Sequence, residues 1–225
     1  MKMDPVSFES CLDSITAILD QGIKAVGFVS PSHVVPQVMA VIRGLRERGY
    51  NPVTVYNTNG FDKAGTIREL ESYIDVYLPD YKYVTSGLAS RWSDAASYPC
   101  VALAAIKEMY YQKGSVLHTD LEGNALSGMI VRHLVMPGHP EESIKVLESI
   151  AGELSPGITL SLMSQYHPTD EVNTMPPLNR LIGTEEYNRV VSAAYSKGFR
   201  KIFIQDPDSH LNYLPDFSRD HPFEG

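Results

Sequence analysis

Cysteine is scarce in this sequence: the 225 residues include two, Cys11 and Cys100. Two cysteines are too few for a disulfide framework, and they lie too far apart for a CxxC-type metal or redox motif. We therefore expect two buried or incidental thiols and no thiolate cluster for a metal. The histidines His133, His139 and His167 lack the tight spacing of a zinc motif, so the sequence does not favour a histidine metal site.

Long apolar runs and an excess of basic residues are also missing. No apolar stretch approaches the about 20 residues that span a bilayer, and no basic segment followed by an apolar core marks a signal peptide. We expect a cytoplasmic location and no membrane partner. The formal net charge of -8 argues against a nucleic-acid partner, because no basic excess exists to displace counterions from phosphates.

Two hydrophobic periods alternate along the chain. Short runs rich in β-branched residues predict strands, and apolar residues recurring at three- and four-residue steps predict helices. The predicted strands are residues 23–29, 52–56, 75–78, 129–136, 158–162 and 201–204. The predicted helices lie around residues 8–19, 38–45, 67–70, 101–111, 144–151 and 187–195.

Strands separated by helices indicate parallel βαβ units with right-handed crossovers. About six strands are too few for a closed eight-stranded barrel. We therefore expect an α/β fold, an open, TIM-barrel-like parallel βα barrel, with a doubly wound open sheet as the alternative. No linker divides the chain, so residues 1–225 are expected to form a single domain. The tail from Asp206 onward is predicted to be irregular and to pack over one end of the sheet.

Polar side chains follow each predicted strand, at the edge where parallel βα folds bind their ligands. In strand order the residues are Ser30, Ser32 and His33; Asn57, Thr58 and Asn59; Asp80 and Lys82; Arg132 and His133 within the fourth strand, with Gly138 and His139 after it; Ser164, Gln165 and His167; and Gln205 and Asp206. Turns favour Ser, Asn and Asp for backbone reasons alone. Because nearly every strand end is polar, however, the set predicts a binding rim for a small molecule.

The spacing of two pairs suggests how the rim is used. Asp80 and Lys82 are two residues apart, so in an extended segment their side chains point to the same side. This carboxylate and ammonium would bracket a zwitterionic or nucleoside-like ligand, and a structural ion pair is the alternative. Arg132 and His133 alternate across their strand, so at most one points inward. Arg132 suits a carboxylate ligand, and a salt bridge inside the barrel is its alternative.

Five segments in order carry a resemblance to a known family. They are Ser30-Pro31-Ser32-His33; Tyr56-Asn57-Thr58-Asn59-Gly60; Asp75-Val76-Tyr77-Leu78-Pro79-Asp80-Tyr81-Lys82-Tyr83; Val131-Arg132-His133-Leu134-Val135-Met136-Pro137-Gly138; and Ser161-Leu162-Met163-Ser164-Gln165-Tyr166-His167-Pro168. From about residue 5 to the C-terminus, the chain resembles the radical S-adenosylmethionine enzymes related to the pyruvate formate-lyase activating enzyme.

The resemblance implies a partial βα barrel that binds a [4Fe-4S] cluster and S-adenosylmethionine. Reductive cleavage of that ligand gives a 5′-deoxyadenosyl radical, which activating enzymes use to form a glycyl radical on a protein partner. By resemblance, Ser30, Ser32 and His33 would lie near the methionine amino end. Asn57, Thr58 and Asn59, with Asp80 and Lys82, would border the ligand's carboxylate, and Arg132 and His167 would lie near its ribose and adenine.

The family holds its cluster with a CxxxCxxC loop, which this sequence does not contain. Three thiolates anchor the cluster and leave one iron open to S-adenosylmethionine. We therefore expect an N-terminally incomplete member that is inactive alone. One alternative is a non-catalytic protein that keeps a nucleoside site or a partner surface. Another is a different barrel enzyme, in which Lys82 forms a Schiff base or histidines bind a metal.

Overall fold

The computed structural model describes residues 7–206. The helices are α1 (Phe8–Leu19), α2 (Val35–Glu47), α3 (Ala64–Glu69), α4 (Ser86–Ser93), α5 (Tyr98–Lys113), α6 (Pro140–Glu153) and α7 (Thr184–Ser196). The strands are β1 (Ala25–Val29), β2 (Val53–Thr58), β3 (Val76–Pro79), β4 (His118–Thr119), β5 (Ala125–Leu134), β6 (Thr159–Met163) and β7 (Ile202–Ile204).

The parallel strands lie in the order β1-β2-β3-β5-β6-β7, which is their order along the chain, and β4 pairs antiparallel with β5. Right-handed crossovers that always step in one direction place the connecting helices on one face of the sheet. Within residues 7–206, β1 and β7 do not pair, so the sheet stays open. This confirms the open parallel βα barrel. A doubly wound sheet would require a reversal of strand order, which the described strands do not show.

The two faces of the sheet differ in burial. On the face toward the helices, Tyr77 and Val131 are fully buried, and the Tyr77 hydroxyl donates a hydrogen bond to Gln112 of α5 at 2.8 Å. On the opposite face, the edge strands carry solvent-exposed apolar side chains: Val29 is 73% exposed and Phe203 is 55% exposed. The helices therefore cover one face, and the other is accessible to ligands within the described part of the chain.

Six predicted strands correspond to β1, β2, β3, β5, β6 and β7 within a few residues, whereas β4 and α4 are not among the predicted elements. Helix α4 follows Thr85, whose backbone N–H and hydroxyl donate to the buried Glu142 carboxylate at 2.7 and 2.6 Å. Because Glu142 comes from α6, no local pattern reveals this helix start. The predicted packing of the tail concerns residues 207–225, outside the described residues. Between residues 7 and 206, no helix has the length and apolarity needed to cross a membrane.

Candidate functional site

A cavity of about 290 Å³ with charged and apolar walls lies on the open face of the sheet, at the carboxyl ends of β3, β5 and β6. Its walls consist of Asp80, Lys82, Tyr83, Arg132, Leu134, Met136, Met163, Gln165 and Tyr166. Asp80 directly follows β3 and forms a parallel bridge with Arg132 in β5. The sheet register therefore brings together two charged residues that are far apart in sequence. The position matches the strand edge where the sequence analysis predicted a binding rim.

Three charges meet in this cavity. Arg132 Nη2 lies 2.7 Å from Asp80 Oδ1, and Lys82 Nζ lies 3.9 Å from Asp80 Oδ2. The prediction that Asp80 and Lys82 point to the same side is confirmed. The close approach of Arg132 to Asp80 is an ion pair without hydrogen-bond geometry. Asp80 Oδ1 and Arg132 Nε are buried and have no hydrogen-bond partner among the described residues, although Oδ1 has Arg132 Nη2 as its ion-pair partner. A buried donor without an acceptor, such as Arg132 Nε, is costly, and a ligand that accepts a hydrogen bond from it gains that energy.

The Tyr98 hydroxyl fixes the backbone on both sides of Asp80. It lies 2.9 Å from the carbonyl oxygens of Asn59 and Asp80 and accepts a hydrogen bond from the Lys82 N–H at 3.1 Å. Burial raises the pKa of Tyr98, so the hydroxyl stays protonated and able to donate. Gly60 packs beside this hydroxyl with φ +82°, and a Cβ there would lie 2.2 Å from the Asp80 carbonyl oxygen. The loop after β2 therefore supports the segment that carries Asp80 and Lys82.

Arg132 and His133 point to opposite faces of β5, as their spacing predicted. Arg132 lines the cavity, whereas His133 is buried toward α6. His133 Nδ1 lies 2.8 Å from the Tyr81 carbonyl oxygen, and Nε2 lies 2.8 Å from Ser143 Oγ. Because a carbonyl only accepts, Nδ1 carries the proton and Nε2 accepts from the serine hydroxyl. His133 thus anchors the residue between Asp80 and Lys82.

His133 should make stability depend on pH. Burial, partly offset by the bond to Tyr81, lowers the pKa of His133, so the ring stays neutral in the folded chain. In the unfolded chain the ring takes up a proton below about pH 6.5. The contribution of His133 to the free energy of unfolding is therefore complete above that pH and falls as the pH drops through it. Urea unfolding at pH 7.5 and 5.5 should show this loss in wild type and in His167→Gln. An equal loss in His133→Gln would contradict it.

The predicted residues after β1 and β2 lie at the same strand edge but do not line this cavity. Ser30 is exposed, and its N–H donates to the Asn57 carbonyl oxygen at 2.8 Å. Ser32 Oγ lies 3.5 Å from Thr58 Oγ1. Thr58 is buried on the helix side, where its hydroxyl donates to the Asp62 carboxylate at 2.5 Å. Thr58 thus has a structural partner, and its side chain faces away from the cavity.

The last three predicted residues are exposed. His33 ends the 3-10 turn after β1. The Asn59 side chain accepts the Phe61 N–H at 2.9 Å, which forms a local turn. The His167 ring lies 3.0 Å from the Pro168 carbonyl oxygen and does not line the cavity. A ligand that contacts these residues would have to extend beyond the cavity.

Ser30 adopts the left-handed conformation, with φ 51° and ψ 45°. This conformation costs a residue with a Cβ about 1–2 kcal/mol, whereas glycine adopts it readily. Ser30→Gly should therefore raise the free energy of unfolding by about 0.5–1 kcal/mol, measured by urea titration. Ser32→Gly is the matched control, because Ser32 has no positive φ, and it should lower that free energy. A destabilised Ser30→Gly variant would contradict this account of the turn.

The other residues that line the cavity were not predicted from the sequence as site residues. Leu134 and Met136 follow Arg132 at two-residue steps, so the period of the strand places them on the same face. Met163, which pairs with Leu134 in the sheet register, continues this apolar side. Gln165, which the sequence analysis noted only as a polar strand end, also lines the cavity. The two-residue period from Arg132 was the signal that could have identified Leu134 and Met136.

The residues present do not fit a [4Fe-4S] cluster. Cys11 is partly buried in α1, and Cys100 is exposed in α5, where its thiol donates to the Ser97 carbonyl oxygen. Two cysteines cannot supply the three thiolates that hold such a cluster. Among residues 7–206, no three His, Cys, Asp or Glu side chains converge in a way that could hold a metal ion. No reaction step through a cluster follows from this chain.

The fold and the cavity define an α/β protein with an open parallel barrel and a charged cavity at the carboxyl edge of its sheet. No family model matches the sequence. An uncharacterized protein of Methanocaldococcus jannaschii is 26% identical to the chain over 160 residues, which cover 71% of this chain and 43% of that protein. The matched segment is therefore less than half of the relative's length.

Proposed function

We propose that this chain forms an S-adenosylmethionine-binding part of a barrel of the radical S-adenosylmethionine type. The observation that carries the proposal is the charged group of Asp80, Lys82 and Arg132 at the carboxyl edge of the sheet. Asp80 Oδ1 and Arg132 Nε lie there buried and without hydrogen-bond partners among residues 7–206. Both residues also belong to the segments on which the family resemblance rests.

The cavity is chemically complementary to this ligand. S-adenosylmethionine has an ammonium and a carboxylate at one end and an adenine ring at the other. Arg132 and Lys82 would pair with the carboxylate, and Asp80 with the ammonium. This assignment follows the charges of the cavity and differs from the resemblance, which implies a place for Arg132 near the ribose and adenine. The partly exposed Tyr166 offers aromatic surface on which a nucleobase can stack, whereas Tyr83 is buried against Trp92 and Tyr98. The volume of about 290 Å³ lies near the lower end of small-molecule sites, so part of the ligand would extend along the open face.

The chain's own residues would bind and orient the ligand and would not reduce it. A cluster of the kind that the family carries would supply the electron for the cleavage of S-adenosylmethionine. Its three thiolates would have to come from outside this sequence, which contains two cysteines. Activation of a protein partner would likewise belong to an assembly that includes those thiolates. Binding is therefore the function proposed for this chain by itself.

Calorimetric titration of the chain tests this function. S-adenosylmethionine should bind at one site, because the ammonium, carboxylate and nucleoside all find partners. Methionine and adenosine, each of which presents only one end, should bind at least about tenfold more weakly. Absence of heat with S-adenosylmethionine at millimolar concentration would refute the proposal.

A nucleoside-binding protein without catalysis is the second candidate. The ion pair between Arg132 and Asp80 favours it, because these two charges then partner each other and need no ligand carboxylate or ammonium. This candidate predicts that adenosine binds as tightly as S-adenosylmethionine and that neutralising Arg132 leaves adenosine binding unchanged. The same titrations therefore distinguish the two functions.

A further inference from the structure

The Glu186 carboxylate, in the first turn of α7, forms four hydrogen bonds. Arg180 donates to it through Nη1 and Nη2 at 2.7 and 2.8 Å. The backbone N–H groups of Gly138 and Gly183 donate at 2.8 and 3.0 Å. Arg180 above all, with these N–H groups, lowers the pKa of Glu186 to about 2, so the carboxylate is charged at any ordinary pH. One side chain therefore joins three segments: the loop after β5, the end of the β6–α7 connection, and α7.

The strap is the β6–α7 connection, residues 164–183. A series of contacts along the strap connects Glu186 with the cavity. Pro177 packs on Gly138 so closely that a Cβ on Gly138 would lie 2.4 Å from the Pro177 ring. The next carbonyl oxygen, that of Leu178, accepts the Tyr166 hydroxyl at 2.7 Å. Tyr166 and its neighbour Gln165 line the cavity. The strap is thus held near Glu186 at one end and forms a cavity wall at the other.

We propose that Glu186 is a positioning residue that fastens the strap over the cavity, so that Tyr166 and Gln165 complete its wall. For the identity of the ligand, this inference rests on the proposed function. For the fastening, it rests on the contacts alone. Helix α7 does not need Glu186 to dock, because its Tyr187, Val190 and Ala194 are buried in the hydrophobic core. Arg189 of α7 separately forms an exposed ion pair with Glu141 of α6. The Glu186 contacts instead converge on the strap.

Trypsin gives a direct, ligand-free test. Arg180 is the only Lys or Arg between residues 164 and 183, and trypsin must bind its guanidinium, which Glu186 now holds. In Glu186→Gln, cleavage after Arg180, followed by mass spectrometry, should be about ten- to a hundredfold faster, as expected for the loss of charge-assisted bonds. The matched control is Glu185→Gln, which changes the exposed neighbouring carboxylate. Equal cleavage rates in these two variants would overturn the inference.

Gly138→Ala provides a second variant that leaves Glu186 intact. The added Cβ must displace Pro177, and the φ of +73° disfavours alanine. The strap should therefore open although Arg180 and Glu186 keep their charges. Trp92, the one tryptophan of the sequence, borders a small cavity with His139 and Pro177. Acrylamide should quench its fluorescence more strongly in both Gly138→Ala and Glu186→Gln than in Glu185→Gln. Unchanged quenching in both would also overturn the inference.

Ligand binding separates the inference from the proposed function. If wild type binds S-adenosylmethionine, Glu186→Gln should raise its dissociation rate about tenfold at a temperature where both chains are folded. Arg189→Gln, which loses only the exposed pair with Glu141, should keep the wild-type rate. A merely structural Glu186 would lower the melting temperature without changing this rate, and that result would overturn the inference. If wild type binds no S-adenosylmethionine, the proposed function fails, and cleavage after Arg180 and Trp92 quenching still decide the fastening.

Discussion

Replacing Arg132 by methionine should weaken the binding of S-adenosylmethionine by about a hundredfold, the cost of losing a buried charged partner for the ligand. The guanidinium is half-buried in the cavity, and its Nε has no hydrogen-bond partner within residues 7–206. Methionine fills similar space without charge. Lysine at the same position keeps the charge but loses the planar fork, so Arg132→Lys should fall between the two. Calorimetry with the three chains measures the series.

The control for this series is Arg43→Met, which removes one positive charge from an exposed position of α2. It changes the net charge by the same amount as Arg132→Met but lies outside the cavity. Its affinity for S-adenosylmethionine should equal that of wild type. If both methionine variants bind equally well, Arg132 does not contact the ligand and the proposed site is wrong.

Replacing Gly60 by alanine should lower the free energy of unfolding by about 3 kcal/mol, combining backbone strain with overpacking. The φ of +82° disfavours any residue with a Cβ, and the new Cβ would overlap the Asp80 carbonyl oxygen. Because that oxygen belongs to a backbone held by Tyr98, little room exists for relaxation. Displacing Asp80 should also weaken ligand binding in the same variant.

Gly65→Ala is the matched control for Gly60→Ala. Gly65 lies in α3, has no positive φ, and a Cβ there meets no atom within 4 Å. Alanine should therefore raise the free energy of unfolding by about 0.5–1 kcal/mol through helix propensity. Urea unfolding of both variants measures the difference. Equal effects of the two substitutions would show that the loop after β2 does not support Asp80 as described.

The period of the strands made part of the site predictable from sequence. Two-residue spacing placed Asp80 and Lys82 on one side, and the same rule separated Arg132 from His133. Both statements depend only on the geometry of an extended chain. The register that brings Asp80 beside Arg132 is a tertiary feature, yet the expected meeting of parallel strand ends already indicated that these residues converge.

The strap could not be predicted in the same way. Its path depends on contacts between residues far apart in sequence, such as Gly138 with Glu186 and Gln165 with Gln205. No local pattern shows that Tyr166 would reach the cavity. Thr58 illustrates the opposite case. It follows the polar pattern of a strand end, but the buried Asp62 takes its hydroxyl on the helix side. Polar identity alone therefore did not reveal which strand ends face the ligand side.

A crystal structure of the chain grown with S-adenosylmethionine tests the central claim most directly. We expect the ligand on the open face of the sheet, with its carboxylate within hydrogen-bond distance of Arg132 and its ammonium near Asp80. Tyr166 and Gln165 should keep their places in the wall. The ligand ordered elsewhere on the chain, or bound with Asp80 Oδ1 and Arg132 Nε still without hydrogen-bond partners, would contradict it.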